Sequence, residues 1–315
     1  MPKKVVFDVD PGIADTLMLC LALFDPKFEV IALTSTGGNV PANIAARNLQ
    51  GIIEYLDPPR LPRFGFGSVS NEPIASQYRH MHGIDTLSDT PLTVAELRTH
   101  HPAEKVICEA VRSDPENVMV VCCGPLTNLA KAVTIDPELP KLLRHVYITG
   151  GSTNGEGNIS ACAEFNIYYD VEAAKKVFGL PCTKTLVPLD ITNQALLTLQ
   201  HFERFPDSST KIGSLLTSML IPAFNTYRHC YGLEGIHLHD LVTYMTAANP
   251  AWASTEELAV EIEAEGKITR GMTVFDKRRI PEFAAAIDVV TKIDVKAVIG
   301  GIIEGFEKVA GMLEN

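Results

Sequence analysis

The sequence predicts an α/β fold: an open, mostly parallel sheet flanked by helices, with a helical cap. Two observations predict it. Short apolar runs of strand length alternate with longer segments of helical character, the signature of βαβ units. Most of the apolar runs also end in Gly, Pro, Asp or Asn, as strands do where they turn into helices. No Ser/Pro-rich stretch, composition shift or repeat divides the chain, so a single domain over residues 1–315 is expected.

Residues 5–7 form a buried strand that breaks at Asp8-Val9-Asp10-Pro11-Gly12. A helix follows over 13–24, with Asp15 in its first turn. Residues 28–33 are the next strand, ending in Thr34-Ser35-Thr36-Gly37-Gly38-Asn39, and 42–55 the next helix. The pattern returns with a strand over 118–122, a turn at Gly124-Pro125 and a helix over 126–133. Strands over 145–148 and 183–187 end in Thr149-Gly150-Gly151 and Pro188-Leu189-Asp190. Residues 200–250 read as the helical cap, and 258–290 as strands on the far side.

Composition removes several classes of function. The chain is 46% hydrophobic and 21% charged, ordinary for a globular protein. The apolar run 17–24 is far short of the roughly 20 residues a membrane span needs. A net charge of −11 disfavours binding to a phosphate backbone and suits a small neutral substrate or a cation. Seven cysteines without a CxxC read as buried free thiols in a reducing compartment. The apolar run that reaches Asp8 is only three residues long, too short for a signal-peptide core, so a cytoplasmic protein is expected.

The chemistry concentrates at strand ends, where ligands bind in open α/β sheets. Asp8, Asp10 and Asp15 surround one turn and repel one another unless a cation lies between them, although one such Asp is explained as a helix cap. Glu164 and Asn166 alternate with Phe165 and Ile167, so in an extended chain they project to one side. A carboxylate beside an amide suits sugar hydroxyls; a satisfied loop network is the other reading. His239-Asp240 sets an imidazole beside a carboxylate at a helix start, able to give a proton to a leaving group. A strand ending in Asp-x-Asp also opens magnesium-dependent phosphatases of the haloacid dehalogenase type, but there Gly-Thr or Gly-Val follows, where this chain has Pro11-Gly12.

Several of these segments together resemble one family. Asp8-Val9-Asp10-Pro11-Gly12-Ile13-Ala14-Asp15, Gly37-Gly38-Asn39-Val40, Gly124-Pro125-Leu126-Thr127-Asn128, Gly157-Asn158, Ala163-Glu164-Phe165-Asn166, Val187-Pro188-Leu189-Asp190-Ile191-Thr192 and His239-Asp240 occur in the order found in calcium-dependent nucleoside hydrolases of the inosine–uridine-preferring type. The resemblance implies a nucleoside hydrolase-like fold and cleavage of an N-glycosidic bond to free base and ribose. It implies Ca²⁺ held by Asp10, Asp15, Asp240 and the carbonyl of Thr127, with Asp10 deprotonating a calcium-bound water and His239 as leaving-group acid. Asn39, Glu164, Asn166 and Asp240 would grip the ribose, and His82, Asn158 and His239 would lie near the base. Tyr227 and Tyr231 would stack on the base or supply a proton; core packing is the alternative. A homodimer or homotetramer is implied as well.

The family pattern breaks at Ala14, where it has an Asp that contacts the ribose 2′-hydroxyl. The break leaves open an enzyme weakened on ordinary ribonucleosides, a preference for sugars altered at the 2′ position, or a catalytically impaired nucleoside- or sugar-binding homologue. Thr149 and Asn193 stand where Met and His are usual.

Overall fold

The computed structural model describes residues 1–67, 87, 90–92 and 101–314. Its centre is a nine-stranded sheet in the order β10-β9-β11-β6-β5-β4-β1-β2-β3. The strands are β1 (Lys3–Val9), β2 (Phe28–Ser35), β3 (Arg63–Phe66), β4 (Val118–Cys122), β5 (His145–Thr149), β6 (Lys184–Val187), β9 (Ala253–Ile262), β10 (Thr273–Asp276) and β11 (Ala286–Ile293). From β3 across to β11 every neighbouring pair is parallel. Only β9 runs against the rest, pairing antiparallel with β11 and β10. A separate ribbon joins β7 (Leu196–Thr198) to β8 (Gly235–His237).

The order places the site. β1 pairs with both β2 and β4, and the chain fills one side with β2 and β3 before it returns to build β4, β5 and β6 on the other. The helices after β1 and β4 therefore leave for opposite faces, opening a crevice at the strands' carboxyl ends. The alternation of β1 fits this arrangement: Val5, Phe7 and Val9 join one hydrophobic cluster and Val6 the other. The first cluster collects helices Ile13–Ala22, Ala42–Leu56, Lys211–Thr226, His239–Ala248 and Val295–Leu313. The second collects Ala103–Ser113, Thr127–Ile135 and Val171–Phe178. Both faces of the sheet are thus covered, as a parallel sheet requires.

The cap expected over 200–250 is chiefly the helix Lys211–Thr226, whose Leu215, Leu216 and Leu220 are buried in the first cluster. One π-helical turn, Tyr227–Tyr231, extends it toward the strand ends. The strands expected over 258–290 are β9, β10 and β11, and they lie in the main sheet beside β6. Three cysteines, Cys20, Cys122 and Cys123, are buried; Cys108, Cys162 and Cys182 are half-buried and Cys230 is exposed, against the expectation of uniformly buried thiols. All seven are free. Among the described residues no helix is long and apolar enough to cross a membrane.

Phe7 anchors the first cluster, fully buried, with Phe28 edge-on at 6.0 Å and Tyr244 at 6.4 Å between ring centres. Phe7→Ala is expected to cost about 3–5 kcal/mol in urea unfolding; a loss under about 1 kcal/mol would show that this layer repacks freely.

Candidate active site

Asp10 follows the last residue of β1, and its carboxylate is clamped from several sides. The Asn39 backbone N–H donates to Oδ2 at 2.6 Å, and the Asn39 side-chain amide reaches the Asp10 carbonyl at 3.5 Å. A Cβ on Gly38 would lie 2.1 Å from Oδ2, and one on Gly124 2.7 Å from Oδ1. The Gly37-Gly38 pair after β2 and the glycine after β4 are therefore the space the carboxylate occupies. Asp15 sits in the first turn of Ile13–Ala22, where its Oδ2 accepts the Gly12 N–H at 3.3 Å. Its Oδ1 is buried without a partner.

Asp240 comes from the opposite end of the chain, in the first turn of His239–Ala248. Glu164 does not sit in an extended strand, which corrects the alternation expected for 164–167. It caps the helix Phe165–Tyr169, accepting the N–H groups of Asn166 at 3.0 Å and Ile167 at 3.2 Å. Gly151, in the left-handed region at φ 69°, turns its N–H onto the same carboxylate at 3.1 Å. Asn166 spends its amide N–H₂ on the carbonyls of Cys123 at 2.8 Å and Thr149 at 3.0 Å, tying the ends of β4 and β5 together.

These carboxylates share one field. Burial raises the proton affinity of Asp10, Asp15, Glu164 and Asp240, to about 6 for Asp15 and about 7 for Glu164. Next in weight after burial, Asp15 raises both Asp10 and Asp240, and Asp10 and Glu164 add to the effect on Asp240. Among the described residues, none of the groups that shift them is a lysine or arginine. Behind them Asp8, pushed up to about 7 by burial, accepts Thr34 Oγ1 at 2.6 Å and Asn128 Nδ2 at 2.8 Å, so it belongs to the packing beneath the crevice. Among the described residues no three His, Cys, Asp or Glu side chains form a ready-made metal cage.

A cavity of about 380 Å³ opens at this point, within the range of small-ligand pockets. Its lining includes Ala14, Asn39, Glu164, Asn166 and Asp240, together with Asn158, Tyr227, Tyr231 and His239. Asn158 is fixed by the Phe165 N–H at 2.8 Å. Tyr227 stands 5.6 Å from Tyr231 and 6.3 Å from His237, ring centre to ring centre. Asp10 and Asp15 are almost fully buried behind the lining. Thr127 opens its helix after the β4 turn, and its hydroxyl donates to Asp170 at 2.6 Å. His82 lies outside the described residues. Sequence reasoning passed over His237, Leu233, Glu156 and Thr192, which also line the cavity. His237 carried a signal, a second imidazole two residues before His239.

The family model of the inosine-uridine preferring nucleoside hydrolases matches residues 5–300. The chain belongs to that family. It is an N-glycosyl hydrolase of nucleosides. The inosine-uridine preferring nucleoside hydrolase of Crithidia fasciculata is 28% identical, over 98% of this chain and 99% of its own. The pyrimidine-specific ribonucleoside hydrolase of Salmonella paratyphi C is 32% identical, over 88% of this chain and 89% of its own. The solved purine-preferring ribonucleoside hydrolase from Gardnerella vaginalis superposes with a TM-score of 0.91 at 27% identity, covering 98% of this chain and 100% of that one.

The buried carboxylates give this nucleoside hydrolase a pH signature. Glu164 binds its proton more tightly folded, at about 7, than at its ordinary 4.5. Below the lower value both states hold the proton. Above it the unfolded chain releases the proton first, so stability falls as pH rises until the folded group also ionises. Urea unfolding in a chelator is expected to show a loss on the order of 3 kcal/mol from this group between about pH 5 and about pH 8. Glu164→Gln should flatten the slope, and an unchanged slope in that variant would assign the dependence elsewhere.

Proposed function

We propose that the cavity binds a nucleoside and that the N-glycosidic bond is hydrolysed there to free base and ribose, with Ca²⁺ as the cofactor. The observation that carries this reading is the buried carboxylate group at the β1/β4 crevice, which shares one field and opens onto a cavity lined by amides and aromatic rings. The donors fit a hard cation. All are oxygens, and Asp15 Oδ1 is buried without a partner. Asp10, Asp15, Asp240 and the carbonyl of Thr127 would hold the ion, with water and ribose hydroxyls completing six to eight ligands. When bound, the ion supplies charge and orientation that make the attacking water more acidic.

The chain's own residues supply the rest. Asp10, held by Asn39 and confined by Gly38 and Gly124, takes the proton of the attacking water. Asn39, Glu164, Asn166 and Asp240 hold the ribose as it becomes oxocarbenium-like. Asn166 has both amide hydrogens committed to backbone carbonyls, so its carbonyl oxygen is what it presents to a hydroxyl. Tyr227 and Tyr231 stack on the base, Asn158 lies beside it, and His239 gives the departing base its proton. His82 is assigned to the base by family resemblance. The protein is further proposed to be a cytoplasmic homodimer or homotetramer that engages neither nucleic acid nor membrane.

Ala14 presents a methyl group to the cavity where the family pattern has a carboxylate for the 2′-hydroxyl. Loss of a charged hydrogen bond costs about 1.5–3 kcal/mol, or roughly 10–150-fold in rate if felt at the transition state. Ala14 also favours a second reading, in which the protein binds nucleosides without turning them over.

Chromatographic base release from a panel of ribo- and 2′-deoxynucleosides separates the two readings. Release that requires added Ca²⁺ and falls about 10²–10⁴-fold in Asp10→Ala supports hydrolysis. Tight calorimetric binding with no release from any member supports the binder. Ala14→Asp is expected to raise ribonucleoside turnover by about 10-fold or more, with little change for 2′-deoxynucleosides.

A further inference from the structure

Thr192 closes the short helix Leu189–Thr192, well away in sequence from the helix His239–Ala248, yet its hydroxyl meets the His239 ring. Thr192 Oγ1 lies 2.7 Å from His239 Nδ1 and 3.2 Å from the carbonyl oxygen of Leu189. Thr192 is 1% exposed, so bulk water does not compete for these bonds. A hydroxyl has one hydrogen to give, and a carbonyl can only accept. The arrangement that satisfies both contacts has Oγ1–H donating to Leu189 and Nδ1–H of His239 donating to Oγ1. The opposite polarity would forgo the Thr192 contact to the Leu189 carbonyl oxygen, which also accepts the Asn193 N–H at 2.9 Å.

We propose that Thr192 is the positioning residue that fixes the tautomer and orientation of His239 for proton delivery to the leaving base. The inference rests on the reading of His239 as leaving-group acid and goes beyond it by naming what sets the ring. With Nδ1–H assigned to Thr192, proton delivery falls to Nε2 of a ring that lines the cavity. In the reaction the C–N electron pair passes to the departing base, and the Nε2 proton transfers to that base. The ring is left neutral with Nδ1–H still on Thr192. The hydrogen bond is the same before and after transfer, so the step demands no rotation of the imidazole. Asn193, the next residue, lines the same cavity, so the turn after β6 brings both a ring anchor and a wall residue to the site.

The test compares nucleosides with 4-nitrophenyl β-ribofuranoside, whose leaving group departs without a proton. Thr192→Val keeps the shape and removes the hydroxyl. It is expected to lower kcat on inosine and uridine by about 10–100-fold with KM little changed, and kcat on the aryl riboside by no more than about 3-fold. Thr192→Ser is expected to restore most of the nucleoside rate. Equal loss on both substrate types, or no rescue by serine, would make Thr192 a packing residue and overturn the proposal. Full nucleoside activity in Thr192→Val while His239→Ala is slow overturns the role of Thr192 alone. Full nucleoside activity in His239→Ala removes the acid reading and this inference with it. The aryl riboside rate reports whether each variant is folded.

Discussion

The arrangement of the site follows from a conflict of like charges. Asp10, Asp15, Glu164 and Asp240 are buried around the crevice beside β1; burial pushes the protons of all four on more tightly, and repulsion from neighbouring carboxylates adds to it at Asp10 and Asp240. Isolated ionised carboxylates do not tolerate such an environment; each must be neutralised, hydrogen-bonded or matched by a cation. Backbone N–H groups meet part of the need. Asn39 serves Asp10, Gly12 serves Asp15, and three N–H groups converge on Glu164. Asp15 retains an oxygen that no donor among the described residues reaches. The fold thus carries a deficit of positive charge at the place where its topology opens a crevice.

Parts beyond the carboxylates hold the deficit in place. Gly38 and Gly124 come from different strand ends, and each yields the volume of one Cβ to the Asp10 carboxylate. Asn166 bridges the ends of β4 and β5 with its amide, while Thr149 at the end of β5 donates its hydroxyl to Thr243 on the helix that carries His239 and Asp240. Strand ends and helix starts are therefore linked laterally by side-chain hydrogen bonds, buried and shielded from water. A site built in this way keeps its geometry because the sheet behind it cannot shift one strand at a time.

Much of this was legible in the sequence, and the illegible parts share a cause. Asp10 and Asp15 stood out because strand, turn and helix are contiguous there, so local rules suffice. The main parallel strands were readable because full burial makes them continuous apolar runs. β3 was not, since Arg63-Phe64-Gly65-Phe66 is four residues at the sheet edge with an exposed arginine. Glu164 was identified as a candidate through the wrong local structure. Over four residues Glu-Phe-Asn-Ile fits a period of two, whereas the decisive fact is a capping carboxylate whose third donor, Gly151, lies in another loop. The Thr192–His239 contact had no local signal at all: it exists because the short helix Leu189–Thr192 packs against the helix that His239 opens, and only the fold supplies that proximity.

The same division explains how relatives of one architecture carry names with different base preferences. Relatives of this chain are named inosine-uridine preferring, pyrimidine-specific and purine-preferring, while the fold of the last superposes almost completely. On the proposed reading, the groups around the ribose stand at strand ends or on helices that start there: Asp10, Asn39, Asn166 and Asp240. Of the groups around the base, His239 shares its helix with Asp240, while Tyr227, Tyr231 and Asn158 come from the periphery. Tyr227 and Tyr231 belong to a π-helical turn at the end of a helix, and Asn158 to a loop beyond β5. Moving a strand end would disturb the carboxylates and the core together, whereas the turn and loop can vary with little effect on either. Sugar chemistry is thereby tied to the sheet and base choice is not. On that reading Ala14 is the instructive exception, because it would alter the sugar side from within the first turn of a helix while leaving Asp10 and Asp15, and hence the charge deficit, intact.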